Sequence, residues 1–295
     1  SYCHPNLHAG SNHHYNWLHA KKFIKECFNR YKNVHCNLSG GEPTVSPFFK
    51  DLVNLIHENN GTIHLTTNLI RPIDYWTDIA NKFASICVSY HSESILTEEQ
   101  EDEFIEKINY IGIHTSVTTR VMMFPKNWDR CYNFYEKLVK SIPNCGIEMV
   151  RLQPDFGTDH SFFDADYTLE QELILSSTMF VNNPVNFKNK VNAPTIIFES
   201  GASMKLNASD VNKLENNKLS NFKNWSCDVG LESLFVRADG EIVRGNCSVG
   251  GVVGNITKFE QINWPNNSIT CTQSLCGCAA DVVLSKRIPG KNNGQ

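Results

Sequence analysis

Two groups of residues in this 295-residue chain have types and spacings suited to chemistry. The first is Gly40-Gly41-Glu42-Pro43. Adjacent glycines let a backbone come close to a ligand, because no Cβ stands in the way. The carboxylate beside them can accept hydrogen bonds from a ligand ammonium, and Pro43 fixes the exit of the chain. Taken alone, the same four residues also describe a strand-to-helix turn with an exposed acid. The second group is five cysteines in the last quarter: Cys227, Cys247, Cys271, Cys276 and Cys278. Thiolates on turns and hairpin ends can converge on zinc or on an iron–sulfur cluster, each needing about four ligands. Five candidates for four places leave one spare or select a subset, and a zinc-stapled β-ribbon is the plain structural alternative.

The chain has eleven cysteines, an odd number. No signal-peptide pattern opens it, so metal ligation is the stronger reading and disulfides the weaker. Cys27, Cys87, Cys131 and Cys145 lie singly within element-like segments, where a buried, inert thiol is expected. His4, His8, His13 and His14 crowd the first residues without the spacing of a metal site. Charged residues make up 20% of the chain and the net charge is −4. That balance leaves no footprint for nucleic acid or an anionic membrane surface. No apolar run approaches the roughly 18 residues of a membrane helix. A soluble, cytoplasmic protein is expected.

The elements that must position these residues follow from periodicity. Helical spacing runs over 17–31, 47–58, 73–82, 128–141 and 169–180, and a further helix starts at Thr97. Thr97 and Gln100 have the form of a capping box, with Phe104, Ile105 and Ile108 as the buried face that follows. Strands are expected at 34–38, 62–66, 84–90, 114–123 and 147–153. Strand and helix alternate at roughly 25–30 residues per unit, the pattern of a parallel βα sheet or barrel. In such folds the ligand sits at the carboxyl ends of the strands. Those ends carry Gly40-Gly41-Glu42, Thr67-Asn68, Ser89-Tyr90-His91, Arg120 and Gln153. An Asn-rich stretch at 182–192, broken by Pro184, reads as a boundary, giving domains of 1–190 and 191–295. Beyond it come short strands at 195–198, 203–206 and 234–237, and a hairpin turn at Ala238-Asp-Gly-Glu241.

The chain resembles the radical S-adenosylmethionine (SAM) superfamily. In that family a Cys-x3-Cys-x2-Cys loop holds a [4Fe–4S] cluster, and an aromatic residue often precedes its third cysteine. Ser1-Tyr2-Cys3-His4-Pro5 looks like the end of that loop. Counting back from Cys3 puts the other two cysteines, and the first strand, ahead of residue 1. Gly40-Gly41-Glu42-Pro43 matches the family motif that contacts the SAM amino group. Thr67-Asn68-Leu69 stands where Thr-Asn-Gly is common. The C-terminal block, with the Asp239-Gly240 hairpin and Gly254-Asn255-Ile256 among its cysteines, is similar to the SPASM or twitch extension that binds auxiliary [4Fe–4S] clusters.

The resemblance implies a partial (β/α)6 TIM-like barrel with a small, β-rich, Cys-dense extension. It implies reductive cleavage of SAM to a 5′-deoxyadenosyl radical that abstracts a substrate hydrogen. Cys3 would ligate the SAM cluster, and Gly40, Gly41, Glu42 and Pro43 would hold the methionine end. Asn68, Ser89 and Arg120 would contact ribose or carboxylate. Cys227, Cys247, Cys271, Cys276 and Cys278 are the candidates for a single auxiliary cluster. An electron donor such as flavodoxin or ferredoxin, and a peptide or small-molecule substrate, are the implied partners. Peptide or protein modification ranks ahead of a small-molecule oxidoreductase. A non-enzymatic zinc-ribbon binding module is the reading from another class.

Overall fold

A computed structural model describes residues 16–142, 145–152, 166–177, 195–197, 203–205, 220–276 and 279–288. Cys3, Gln153, Cys278 and the 182–192 boundary lie outside these residues. The described residues divide into two compact units, 24–177 and 195–288, with 16–23 grouped with the second.

After α1 (Trp17–Arg30), whose residues are shared between the two groupings, the first unit alternates as its periodicity predicts: β1 (His35–Leu38), α2 (Phe49–Glu58), β2 (Thr62–Thr67), α3 (Ile73–Trp76), β3 (Ser85–Tyr90), α4 (Glu98–His114), β4 (Ser116–Met123), α5 (Trp128–Ser141), β5 (Gly146–Arg151) and α6 (Leu169–Ser177). The five strands are parallel and lie in chain order, β1-β2-β3-β4-β5. Every crossover therefore steps to the next strand in one direction. With the right-handed sense such crossovers take, the helices fall on one face of the sheet, as in a barrel wall. A doubly wound sheet would reverse its order at a switch point.

Burial along the strands shows the same asymmetry. Ile63, Leu65, Ile86, Val88, Val117, Val121 and Ile147 are each no more than 2% exposed. They form one large core with Phe49, Phe104, Ile108, Phe134 and Leu138 from the helices. Tyr90 stacks on Phe134 with ring centroids 3.9 Å apart, and Phe104 meets both rings edge-on. The alternate positions are half-buried or exposed and mostly polar: Thr62, His64, Thr66, Ser85, Cys87, Ser89, Ser116, Thr118, Arg120 and Glu148. The 84–90 segment reads as a nearly continuous apolar strand, but Ser85, Cys87 and Ser89 put its small polar side chains on this open face.

One expected helix is shorter than its pattern. The 73–82 segment forms only α3 and a separate 3-10 turn at Ala80–Lys82. The Thr77 hydroxyl donates to the Asp74 carbonyl at 2.8 Å, and tight i→i+3 bonds replace the helical ladder. The capping box forms, with Thr97 Oγ1 accepting from Gln100 N at 3.3 Å and Gln100 Oε1 from Thr97 N at 3.2 Å.

The second unit is built from short pieces: β6 (Thr195–Ile197), β7 (Ser203–Lys205), β8 (Ser226–Cys227), β9 (Phe235–Val236), β10 (Glu241–Val243), β11 (Val252–Asn255), β12 (Ile269–Thr270), α7 (Ala279–Val282) and β13 (Lys286–Arg287). They form an antiparallel β6-β7 pair and two three-stranded antiparallel sheets, β11-β10-β9 and β12-β8-β13. The hairpin between β9 and β10 turns at Gly240, with φ +85° and its N–H donating to Arg237 O at 2.9 Å. No helix among the described residues is long and apolar enough to cross a membrane.

Candidate functional site

The Gly40-Gly41-Glu42-Pro43 turn follows β1 at the carboxyl end of the sheet. Gly40 has φ +119°, a conformation side chains rarely adopt. A Cβ built at Gly40 or Gly41 meets nothing within 4 Å, so the space against this backbone is open. Glu42 caps the 3-10 turn Pro43–Val45: its Oε1 accepts from Thr44 N at 3.1 Å and Thr44 Oγ1 at 2.6 Å. The same carboxylate reaches the end of β2, where Oε1 accepts from Thr67 Oγ1 at 2.9 Å and Oε2 from Asn68 N at 2.7 Å. Glu42 is thus a clamp between two strand ends. An ionised carboxylate has about four lone-pair sites. Oε2, with one donor among the described residues, keeps capacity for a ligand ammonium. A second brace comes from the Thr44 carbonyl, which accepts from Arg71 Nε (3.0 Å), Arg71 Nη2 (2.9 Å) and Tyr75 OH (3.2 Å).

The β2 end is tightly determined. Asn68 Oδ1 accepts from Ile70 N at 3.0 Å, a local Asx-type turn. Leu69 stands where glycine is common in the resembling family, and its φ of +55° is the left-handed conformation that glycine would take freely. Three contacts hold it there. Its side chain is 1% exposed in the core, its N–H donates to Thr67 Oγ1 at 3.1 Å, and its carbonyl accepts from Lys107 Nζ at 3.2 Å. Lys107, on α4, is itself buried and pairs with Glu103 at 2.8 Å.

Strand register carries the line onward. Thr67, Val88, Thr119 and Ile147 are successive partners, so the residues that follow them, Asn68, Ser89, Arg120 and Glu148, fall on one level at the carboxyl end. The structure brings Glu42 to Asn68 by a hydrogen bond and Ser89 beside Arg120 by register. It also gives Arg120 a partner the sequence did not reveal: its Nε donates to Glu148 Oε2 at 3.0 Å. Cys87 lies on the same open face, and burial pushes its thiol upward. His64 Nδ1 and Ser85 Oγ are 2.7 Å apart on the same face, and burial holds the imidazole below its ordinary value. Cys27, Cys131 and Cys145 are buried as expected; the half-buried, open-face Cys87 departs from that expectation.

Four of the five C-terminal candidates, Cys227, Cys247, Cys271 and Cys276, line one cavity of about 20 Å³ together with Asp281 and Lys286. Cys227 is held by β8, whose two neighbours put Ile269 and Lys286 opposite it. Cys271 N donates to Trp225 O at 2.8 Å and Cys276 N to Ser220 O at 2.9 Å. Cys247 N donates to Asp281 Oδ2 at 2.8 Å. Gly245 permits that approach, since a Cβ there would lie 2.8 Å from Asp281 Oδ1 and 2.5 Å from Val229 Cγ2. Burial pushes the Cys247 thiol up to about 11 and raises that of Cys227, so a metal bound there would have to expel protons. Among the described residues no group of three or more His, Cys, Asp or Glu is placed to hold a metal ion. Tetrahedral zinc, with Zn–S near 2.3 Å, would draw the sulfurs to about 3.8 Å from one another. Four thiols lining one cavity match in number and type the ligands that a four-iron cluster takes, one sulfur to each iron.

An open glycine turn clamped by its own carboxylate to the next strand end, on a parallel sheet wound in order, defines an α/β protein with a candidate ligand site at the carboxyl edge. Comparison with known proteins bears on the class. No family model matches the chain. It is 27% identical over 138 residues to a 7-carboxy-7-deazaguanine synthase from Methanopyrus kandleri, covering 43% of this chain and 50% of that protein. The chain thus spans about half the length of this curated relative. Among solved structures, an archaeal TYW1 is similar at 18% identity, TM-score 0.31, over 44% of this chain and 51% of that one. SuiB of Streptococcus suis bound to S-adenosylmethionine is similar at 13% identity, TM-score 0.34, over 54% of this chain and 38% of that one.

Proposed function

We propose that this protein is a radical SAM enzyme acting on a peptide or protein substrate, with the methionine end of SAM seated at Gly40–Pro43 and an auxiliary [4Fe–4S] cluster held in the C-terminal unit. The observation that carries the reading is the glycine turn. It leaves open space at Gly40 and Gly41, while Glu42 is fixed by Thr44, Thr67 and Asn68 with acceptor capacity to spare. When bound, the cluster and SAM supply a 5′-deoxyadenosyl radical that removes a substrate hydrogen. The chain's own residues bind and orient. Glu42 accepts from the SAM ammonium, and the Gly41 backbone permits close approach. Ser89 and the Arg120–Glu148 pair present donors and acceptors to ribose and carboxylate, and Cys3 is a cluster ligand. The polar open face of β2–β4 supplies hydrogen-bonding groups for a polar substrate. Cys227, Cys247, Cys271 and Cys276 hold the auxiliary cluster, with Cys278 the spare thiol, and a flavodoxin or ferredoxin supplies electrons. A small-molecule oxidoreductase is the second reading, favoured by the sequence relative, whose name gives a small heterocyclic product.

The test is anaerobic reconstitution followed by assay of 5′-deoxyadenosine under a strong reductant. The wild type forms it and Glu42→Ala forms at least tenfold less. An intact cluster with no SAM cleavage across peptide and small-molecule candidates overturns the assignment. Zinc alone, with no iron, sulfide or visible absorbance, would restore the zinc-ribbon module.

A further inference from the structure

We propose that Lys286 and Asp281 are a built-in pair of opposite charges that sets the reduction potential of the group held by Cys227, Cys247, Cys271 and Cys276. The inference rests on the auxiliary-cluster reading above and adds two residues to it.

Lys286 is the cross-strand partner of Cys227 in the β8–β13 ladder, so the two side chains stand on the same side of the sheet. It is the one cation lining the thiol cavity among the described residues. Its ammonium is held in place by the carbonyls of Asp281 (2.6 Å), Val282 (3.2 Å) and Leu284 (3.3 Å), and it lies 4.8 Å from the centre of the Phe222 ring. An ammonium has three donors. All three go to carbonyl oxygens, which leaves none for a sulfur. Lys286 therefore acts on the cavity as a fixed point charge. Asp281 is the counterweight. It is 4% exposed, lines the same cavity, and is fixed by accepting the Cys247 N–H through Oδ2.

A four-iron, four-sulfide core with four thiolates carries a net negative charge, and reduction adds one more. In a cavity whose cysteines are largely buried, fixed charges a few ångströms away are weakly screened. The cation favours the reduced state and the carboxylate opposes it, so net local charge sets the potential. Neither residue need touch the cluster.

Spectroelectrochemical titration of the reconstituted protein tests this with wild type, K286M, K286R and D281N. K286M shifts the auxiliary midpoint to lower potential, and D281N, which keeps an oxygen acceptor for the Cys247 N–H, shifts it higher. K286R stays near wild type. Lys286 also ties down the end of α7, so K286M can fail to load iron. The upward shift of D281N then supports the proposal alone, and its absence overturns it. Midpoints that do not move, or that move together in one direction with iron content intact, overturn the charge role and leave the cluster. Iron and sulfide content unaffected by the paired change C227S and C271S overturns the cluster reading, and this inference with it.

Discussion

Glu42 is asked to do two things with one carboxylate. It braces the turn after β1 against the end of β2, and it keeps an acceptor for a ligand donor. Removing it tests both. Glu42→Ala leaves Asn68 N–H and the Thr67 hydroxyl without their shared acceptor, so it should destabilise the first unit by about 1–3 kcal/mol. SAM affinity should fall at least tenfold in equilibrium dialysis against the reconstituted protein. Loss of stability with unchanged affinity would reduce Glu42 to a structural clamp. Leu69 sets two effects against each other. Its left-handed backbone costs about 1 kcal/mol or more for a residue with a Cβ. Its side chain is almost wholly buried, and truncations of that kind cost about 2–5 kcal/mol. Leu69→Gly relieves the first and forfeits the second, so the urea midpoint of the first unit should drop. A midpoint at or above wild type would mean that the strain outweighs the packing.

At the scale of elements, β8 organises the second unit because both of its edges are used. Asp228, the residue after it, joins its two sides: Arg287 donates to both carboxylate oxygens at 2.7 Å, and Ser268 Oγ donates to Oδ1 at 2.6 Å. The Arg287 guanidinium holds the Asp228 carboxyl below its ordinary range. The folded chain therefore takes up this proton less readily than the unfolded chain. The stabilisation is complete above the unfolded value of about 3.9 and is lost as pH falls through the lowered one. Asp228→Asn should cost about 1–2 kcal/mol at neutral pH, discounted because Arg287 is 39% exposed, and should flatten the acid limb of urea midpoints taken from pH 3 to 7. A parallel acid limb in the variant would place the titration elsewhere. The sequence showed the repeating elements because periodicity reports burial: the face of Phe104, Ile105 and Ile108, the Thr97–Gln100 box and the Gly240 turn all form. It showed the motif turn as well. It did not show the braces. Arg71 and Tyr75 brace the turn at Thr44, Lys107 the end of β2 at Leu69, and Glu148 pairs with Arg120, all through contacts made across different strands and helices, which nothing in local spacing encodes. The broken 73–82 helix was hidden for a related reason: Trp76, Ile79, Ala80 and Phe83 keep a helical spacing of burial while the Thr77 hydroxyl takes a backbone carbonyl.

Across the whole molecule the two units draw on different sources of stability. The first has a continuous core of aliphatic and aromatic side chains from strands and helices. Among its described residues from 195 on, the second has strands of two to four residues, a 3-10 segment of six and a helix of four, and one of its buried clusters is only Cys227, Val229 and Cys271 with a few partly buried neighbours. Elements this short cannot persist on hydrogen bonding alone, and a small apolar cluster offsets little chain entropy. Two of the three residues in that cluster are proposed ligands, so the group they hold and the packing they provide are one structure. Metal-ligand bonds present only in the folded state add their binding free energy to folding. Removing iron with a strong chelator under reducing conditions should therefore unfold 220–288 while the β1–β5 sheet survives. Hydrogen exchange read by mass spectrometry separates the two. Amides of β8, β10 and β12 should lose protection by at least a hundredfold on iron removal, while those of β2, β3 and β4 stay within a few-fold. Equal protection in the loaded and stripped protein would show that the second unit stands without its cluster, and the four cysteines would then be packing residues rather than ligands.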